Sequence, residues 1–329
     1  MKIVTATWLP YTLPLASPWV TSRGRRTALS GELLRLNSAD GLTGWGDAAP
    51  LPEFSISHQQ ARHFAREAAL LDLCAQARQL PLYRLLSQGP CVNRLQTHEN
   101  LGNLEAIDAA RLQALAGRHA PVCKIKVGIQ PWSTEIRSLQ QLTQALPANS
   151  RLRLDANQAW NPAEARAFID ACSQLQLPIE SLEEPLQATP GGSDLHAALR
   201  SLQRHCAFPL AVDESADLIG TTFWQAPPVR RIIIKPARHG GLLGALNLAR
   251  QARLAGLDCV VTSALESDCG LLACAHLAAA LAPEAIHGLH RPRLAGHLHL
   301  PPTSNEGKQD NGGFYLPQLP GLGFQPRSS

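Results

Sequence analysis

The sequence predicts an α/β protein: a (β/α)8-type (TIM) barrel with an N-terminal α+β capping domain. Three observations lead there. Short β-branched or apolar runs start at residues 122, 152, 179, 210, 232, 259 and 285, in steps of 22 to 31 residues, and each step has room for one helix and two loops. Five of these runs end in a charged residue at their C-terminal side, the rim on which barrel enzymes carry their chemistry. Before about residue 95 the pattern is different and reads as a separate small unit.

Taken in order, residues 1–50 alternate β-like runs with turn signals. Glu32-Leu33-Leu34-Arg35-Leu36 is followed by the turn residues 37–41 and by Thr43-Gly44-Trp45-Gly46, which predicts an antiparallel meander. Residues 56–88 carry apolar positions three and four apart and read as helical. The expected division is a capping and lid domain over 1–94, completed by the Pro/Gly-rich tail at about 300–329, and a barrel over 95–299. Its strands are expected at Leu95–His98, Val122–Val127, Leu152–Leu154, Ile179–Leu182, Leu210–Val212, Ile232–Ile234, Cys259–Val261 and Ala285–Leu289. Two connecting helices announce themselves. Asn161-Pro162-Ala163-Glu164 offers an N-cap, a first-turn proline and a first-turn acid, after which Ala165, Phe168, Ile169, Cys172 and Leu175 share a face. Leu242–Leu254 runs helical and stops at Gly256.

Composition narrows the function classes. Of 329 residues 45% are hydrophobic and 17% charged, enough apolar material for a large core. The formal net charge of +4 comes without a Lys/Arg block, which argues against a nucleic-acid partner and suits a small anionic substrate. No uncharged apolar stretch approaches the roughly 18 residues of a membrane span. The N-terminal MKIVTATWLPYTLPL reads as a strand rather than a signal peptide. Eight scattered cysteines without a CxxC pair are expected to be buried free thiols in a reducing cytoplasm.

The charges on the strands are the informative feature. Side chains alternate along a strand, so Lys124 and Lys126 share one face while Ile125 and Val127 share the other. Likewise Arg151, Arg153, Asp155 and Asn157 oppose Leu152 and Leu154, and Asp213 follows the parity of Ala211. Singly, each residue has an ordinary explanation: an Asp after a strand is usually an N-cap or loop residue, a Lys there a solvated one. Jointly, Asp155, Glu183 and Asp213 come from consecutive strands and are flanked by Lys126 and Lys235. Charges of both signs gathered in a barrel mouth need a purpose that offsets their desolvation. Three oxygen donors suit Mg²⁺, with Mn²⁺ able to substitute, and no His/Cys set is spaced for zinc.

Lys124-Ile125-Lys126, Asp155-Ala156-Asn157, Glu183-Glu184-Pro185, Asp213-Glu214-Ser215 and Lys235-Pro236 together resemble the ordered signature of the muconate-lactonizing branch of the enolase superfamily. Within it the stretches 44–52 (GWGDAAPLP), 152–160 (LRLDANQAW) and Leu265-Glu266-Ser267 are similar to the o-succinylbenzoate synthase family. The resemblance implies Mg²⁺ on Asp155, Glu183 and Asp213, with Lys126 as acid/base and Lys235 as the charge that stabilises an enediolate. It also implies Lys124, Arg153, Asn157, Thr262 and Ser263 near the substrate, and lid loops at about 21–28 and 50–55. The implied reaction is dehydration of a cyclohexadiene carboxylate to 2-succinylbenzoate in menaquinone or phylloquinone synthesis. Two alternatives stay open. Sister enzymes racemise N-acylamino acids or epimerise dipeptides with the same residues, and Lys235 alone would also suit a metal-free Schiff-base aldolase.

Overall fold

The computed structural model describes residues 1–21, 24–117, 121–187, 193–218, 221–290, 309–310 and 313–326. The chain opens with β1 (Ile3–Thr21), β2 (Gly24–Ser38), β3 (Thr43–Ala48), α1 (His58–Ala77), α2 (Leu82–Leu86) and β4 (Arg94–Thr97). Strand and helix then alternate: β5 (Glu99–Asn103), α3 (Ala109–Gln113), β6 (Val122–Lys126), α4 (Trp132–Ala145), β7 (Arg151–Asp155), α5 (Pro162–Gln174), β8 (Ile179–Glu183) and α6 (Ser193–His205). The alternation continues through β9 (Leu210–Val212), α7 (Thr221–Gln225), β10 (Arg231–Ile234), α8 (Gly241–Leu254), β11 (Asp258–Val261), α9 (Asp268–Leu281) and β12 (Ile286–His287). Two short strands follow, β13 (Gln309–Asp310) and β14 (Gly313–Tyr315). The elements fall into two compact units. One comprises Met1–Thr97, Ile234–Ala249 and Val261–Ser329, the other His98–Ile233 and Arg250–Val260.

In the first unit, β1, β2 and β3 form the expected antiparallel sheet in that order. The β1–β2 register breaks between Pro14 and Trp19, where Pro14 and Pro18 have no N–H to give the ladder. Helix α1 begins on a capping box made by Ser57 and Gln60 and buries Ala61, Phe64, Ala65, Ala68, Ala69 and Leu73. Its alanines admit β3 at very short range: a Cβ on Gly46 would lie 1.9 Å from the Ala65 carbonyl oxygen. Asp72 on α1 accepts from the backbone N–H groups of Trp45 (2.9 Å) and Leu322 (2.8 Å). Strand β14 pairs antiparallel with β4, and β4 pairs parallel with β12. Residues of the last described segment, 313–326, are thereby held to β4 and α1. His276 on α9 completes this region: its Nδ1 accepts from Tyr83 N–H (3.1 Å), and its Nε2 lies 3.1 Å from the Leu322 carbonyl oxygen.

Near the end of the β1–β2 hairpin, Arg26 forms a two-pronged ion pair with Glu53, and the Trp19 and Phe54 rings lie 5.2 Å apart. The two segments expected to form a lid therefore touch each other. Residues 22 and 23 of that expectation lie outside the described residues, as do 300–308 of the tail. The 21–28 stretch is more regular than expected, with strand pairing reaching Thr21 and Gly24.

The second unit carries a seven-stranded sheet in the order β11-β10-β9-β8-β7-β6-β5, with parallel pairing from β5 to β10. Sequential strand order with intervening helices is the arrangement that the strand spacing predicts. Cys123, Ile125, Leu152, Leu154 and Leu182 are fully buried, and Ala211, Ile233 and Val260 form an apolar cluster. Helix α5 starts on the expected capping box of Asn161 and Glu164, and Gly256 after α8 has φ +80°. Two strands differ from expectation. The neighbour of β6 is β5, not Leu95–His98, of which Leu95, Gln96 and Thr97 belong to β4 in the four-stranded sheet β12-β4-β14-β13, and the run expected at Ala285–Leu289 supplies β12 of that same sheet. Glu99-Asn100-Leu101-Gly102-Asn103 hides from pattern reading because it has one large apolar residue, and its register shifts at Gly102, where φ is +78°.

Candidate active site

The ends of β6, β7 and β8 bring the predicted residues into rows. Lys126 is in register with Asp155, and Asp155 with Glu183, while one row back Lys124 is in register with Arg153 and Arg153 with Ser181. Lys124 reaches forward. Its Nζ lies 2.9 Å from Asp155 Oδ2 and 2.7 and 2.9 Å from the two Glu183 oxygens. Burial lowers the pKa of this ammonium, but the charges of Asp155, Glu183 and Asp213 outweigh it, and the net value stands above the ordinary lysine range. Asp155, Glu183 and Asp213 are all buried.

Among the described residues no three acidic, His or Cys side chains already stand as a cation cage, and the Lys124 ammonium lies between two of the three carboxylates. The donor chemistry nevertheless fits a hard divalent cation. The donors are oxygen only, and the charges of all three carboxylates act on one point, the Lys124 ammonium.

The backbone around these residues is strained. Asn157 (φ +44°), Gln158 (+63°) and Glu184 (+48°) are non-glycine residues in the left-handed region, a conformation that clusters at functional sites. Asn157 turns its N–H to Asp155 Oδ1 (3.1 Å). Glu184 is almost fully buried and hydrogen-bonded to the segment after β9. Desolvation, reinforced by Glu214, pushes its carboxyl up to about 7 against those hydrogen bonds.

Arg153, expected near the substrate, is 1% exposed and paired inside the unit. Its Nε donates to Glu180 Oε2 (3.0 Å) and its Nη1 lies 3.0 Å from His98 Nδ1. Glu180 also accepts from Arg231 Nη1 (2.6 Å) and from Ser181 Oγ (2.7 Å). Burial alone would raise the Glu180 carboxyl; the two guanidinium groups and Ser181 reverse that and hold it at about 2. Strand alternation assigns Glu180 to the face opposite Ser181 and Glu183. A β-bulge overrides this: Leu152 pairs with Ile179 and Arg153 with Ser181, so Glu180 is the extra residue. Sequence reasoning missed Glu180 for that reason. It missed Glu184 too, although the doublet Glu183-Glu184 before a proline was the available signal.

Lys235, Thr262 and Ser263 belong to the first unit. The Lys235 N–H donates to His239 Nδ1 (3.0 Å), which fixes the turn after β10. Thr262 N–H donates to the Ile234 carbonyl (2.9 Å), and Thr262 bridges Gly288 in parallel. The Ser263 hydroxyl donates to the Gly288 carbonyl (3.2 Å) and accepts from His290 N–H (3.3 Å). Nearby in the chain, Glu266 is buried and its carboxyl is pushed up to about 7, chiefly by desolvation, with Asp47 adding to the rise and Lys235 opposing it. Asp47 accepts from Tyr11 Oη (2.7 Å) and from Ser267 N–H and Oγ–H (2.8 Å each), tying β3 to the N-cap of α9. The described cysteines are free, Cys74 exposed and Cys91 half-buried, the other six buried. Among the described residues no helix is long and apolar enough to cross a membrane.

Residues 106–329 match the family described as "Enolase C-terminal domain-like". Over 308 residues the chain is 32% identical to an o-succinylbenzoate synthase of Yersinia pseudotuberculosis serotype O:3 (strain YPIII), covering 87% of this chain and 89% of that one. In three dimensions it is similar to an L-Ala-D/L-Glu epimerase from Bacillus subtilis, with a TM-score of 0.85, 26% identity, and 98% of this chain and 99% of that one covered. A dipeptide epimerase from Cytophaga hutchinsonii, solved with Mg and a dipeptide, gives a TM-score of 0.82 at 23% identity over 99% of this chain and 96% of that one. These likenesses bear out the fold class read from the sequence, a (β/α)8-type barrel with an N-terminal α+β domain.

Proposed function

The chain belongs to the enolase superfamily, and from that premise we propose that it is an o-succinylbenzoate synthase. The reaction is syn elimination of water from 2-succinyl-6-hydroxy-2,4-cyclohexadiene-1-carboxylate, giving 2-succinylbenzoate for menaquinone or phylloquinone synthesis in the cytoplasm. The observation that carries the reading is 32% identity to a Yersinia enzyme of that name over 87% of the chain. The site supports it through the buried carboxylates of Asp155, Glu183 and Asp213, all acting on one cation.

In this reading the division of labour follows the domains, with 1–94 and the tail from about 300 as lid and 95–299 as catalytic barrel. Asp155, Glu183 and Asp213 hold Mg²⁺, or Mn²⁺ in its place. When bound, the ion supplies a Lewis acid for the substrate carboxylate and offsets the charge that develops on it. Lys126 takes the proton from the carbon next to the carboxylate, and the electron pair moves into an enediolate. Lys126 then returns that proton to the departing hydroxyl on the same face, so water leaves and Lys126 is reset as the free amine. Lys235 keeps its charge throughout and stabilises the enediolate. Lys124, Arg153, Asn157, Thr262 and Ser263 line or support the substrate position. Of these, Lys124 and Asn157 touch the carboxylates directly, and Arg153 stands one row back, in backbone register with Lys124.

The test is a dehydration assay on the purified protein. Activity is expected to vanish in EDTA and return with Mg²⁺, and Lys126→Ala is expected to stop both dehydration and exchange of the α-proton with solvent deuterium. Full activity in chelator sinks the mechanism. The second reading, epimerisation of a dipeptide or racemisation of an N-acylamino acid, draws on the likeness to the Bacillus subtilis epimerase. It needs Lys126 and Lys235 as two bases on opposite faces. Lys235→Arg keeps the charge but removes the base, so surviving dehydration favours the first reading. Racemisation much faster than dehydration in the wild type favours the second.

A further inference from the structure

We propose that Glu184 is a positioning residue that sets the three carboxylates as one cation-binding group; the inference rests on the metal reading above. Four donors from two other strand ends converge on its carboxylate. Oε1 accepts from Asp213 N–H (2.5 Å) and Ser215 N–H (2.9 Å), and Oε2 accepts from Ser215 Oγ–H (2.7 Å) and Gln158 Nε2–H (3.1 Å). Backbone bonds reinforce the clasp: Gln158 N–H donates to the Glu184 carbonyl (2.7 Å), and Glu184 N–H donates to the Ala211 carbonyl (3.0 Å).

Each partner is adjacent to a proposed ligand. Gln158 follows Asp155 by three residues, Glu184 follows Glu183 directly, and Ser215 lies two after Asp213, whose own N–H is held. β7, β8 and β9 each contribute one carboxylate and one strand-end segment, and the Glu184 side chain bonds both of the other two segments. Without it, the chain between Asp213 and Ser215 loses three hydrogen bonds, and Asp213 keeps its charge but not its fixed direction. Glu184 and Gln158 are also held at positive φ, a conformation that a plain turn of these residues would avoid. Groups that orient ligands in this way typically change metal affinity 10- to 100-fold when removed.

A carboxylate that served only the fold would, on removal, lower the unfolding midpoint measured in EDTA and leave the Mg²⁺ affinity of the folded protein unchanged. The experiment therefore measures two things on wild type, Glu184→Gln and Asp213→Asn. One is Mg²⁺ affinity by calorimetry; the other is the near-ultraviolet circular dichroism and urea midpoint in EDTA. Glu184→Gln is expected to keep the wild-type near-ultraviolet spectrum and bind Mg²⁺ roughly 10- to 100-fold more weakly, while Asp213→Asn loses measurable binding. Should Glu184→Gln fail to fold, Ser215→Ala and Gln158→Ala each delete one donor without stranding a charge, and each is expected to weaken binding several-fold. Mg²⁺ affinity within threefold of wild type in Glu184→Gln, or in both donor variants, overturns the inference while leaving the metal reading intact. A wild type that binds no Mg²⁺ overturns both, and Asp213→Asn binding as tightly as wild type removes the ligand assignment itself.

Discussion

Glu180→Gln is the substitution with the most determinate cost. Glu180 neutralises two guanidinium groups, and the side chains of Glu180, Arg153 and Arg231 are 8%, 2% and 11% exposed. Its carboxyl is held at about 2 against an ordinary value of 4.5. A difference of about 2.5 units corresponds to roughly 3 kcal/mol favouring the charged folded form. Independently, removing one partner of a buried ion pair costs about 3–5 kcal/mol, because the remaining charge is stranded. The two estimates agree, so Glu180→Gln is expected to lower unfolding free energy by about 3 kcal/mol at pH 7. The sign with pH follows from a depressed carboxyl. Its contribution is complete above about pH 4.5 and disappears as pH falls toward 2, so the gap between wild type and variant should shrink to roughly half near pH 3. Urea unfolding followed by tryptophan fluorescence at pH 7, 5 and 3 reads this directly. A gap under about 1 kcal/mol at pH 7, or one that does not narrow with acid, refutes the reasoning.

Three other outcomes follow from the structure. Burial lowers the His276 pKa to about 4, and its Nδ1 can accept from Tyr83 only while unprotonated, so stability should fall by roughly 3 kcal/mol as pH drops from 6.5 to 4; His276→Gln should flatten that part of an acid-unfolding curve. Gly46→Ala sets a methyl group against the Ala65 carbonyl and should cost about 3 kcal/mol or prevent soluble expression; wild-type urea stability in this variant would show that β3 can retreat from α1. Product binding should protect residues 21–28 from protease, since lid closure excludes water from the reacting carbon; cleavage at equal rates with and without product counts against a lid there.

Much of the molecule could be read because its periodicities are clean. Val122–Lys126 and Arg151–Asp155 alternate strictly, so the common face of Lys124, Lys126, Arg153 and Asp155 was visible, and the registers place them in rows. Three things were not. β5 has almost no apolar signal, because Asn100 and Gly102 sit where the ladder shifts. Glu180 gave no local signal, because a bulge changes parity without changing composition. The partners of the Arg153 guanidinium, Glu180 and His98, lie 27 and 55 residues away and gave no signal either. Hydrogen-bond partners between distant strands are decided by tertiary register, which no local pattern encodes.

The bond from Leu322 to Asp72, with β14 laid against β4, has a consequence for biosynthesis. More than 200 residues separate β4 from β14. At roughly 5–20 residues per second, a ribosome needs on the order of ten seconds or more to deliver them. Until then the nascent α1 carries Asp72 without one of its acquired donors, and β4 shows an open edge to solvent. The N-terminal sheet and helix are thus made first and finished last. That interval is when a chaperone would be needed most, and stalled or prematurely terminated chains should be the ones that aggregate.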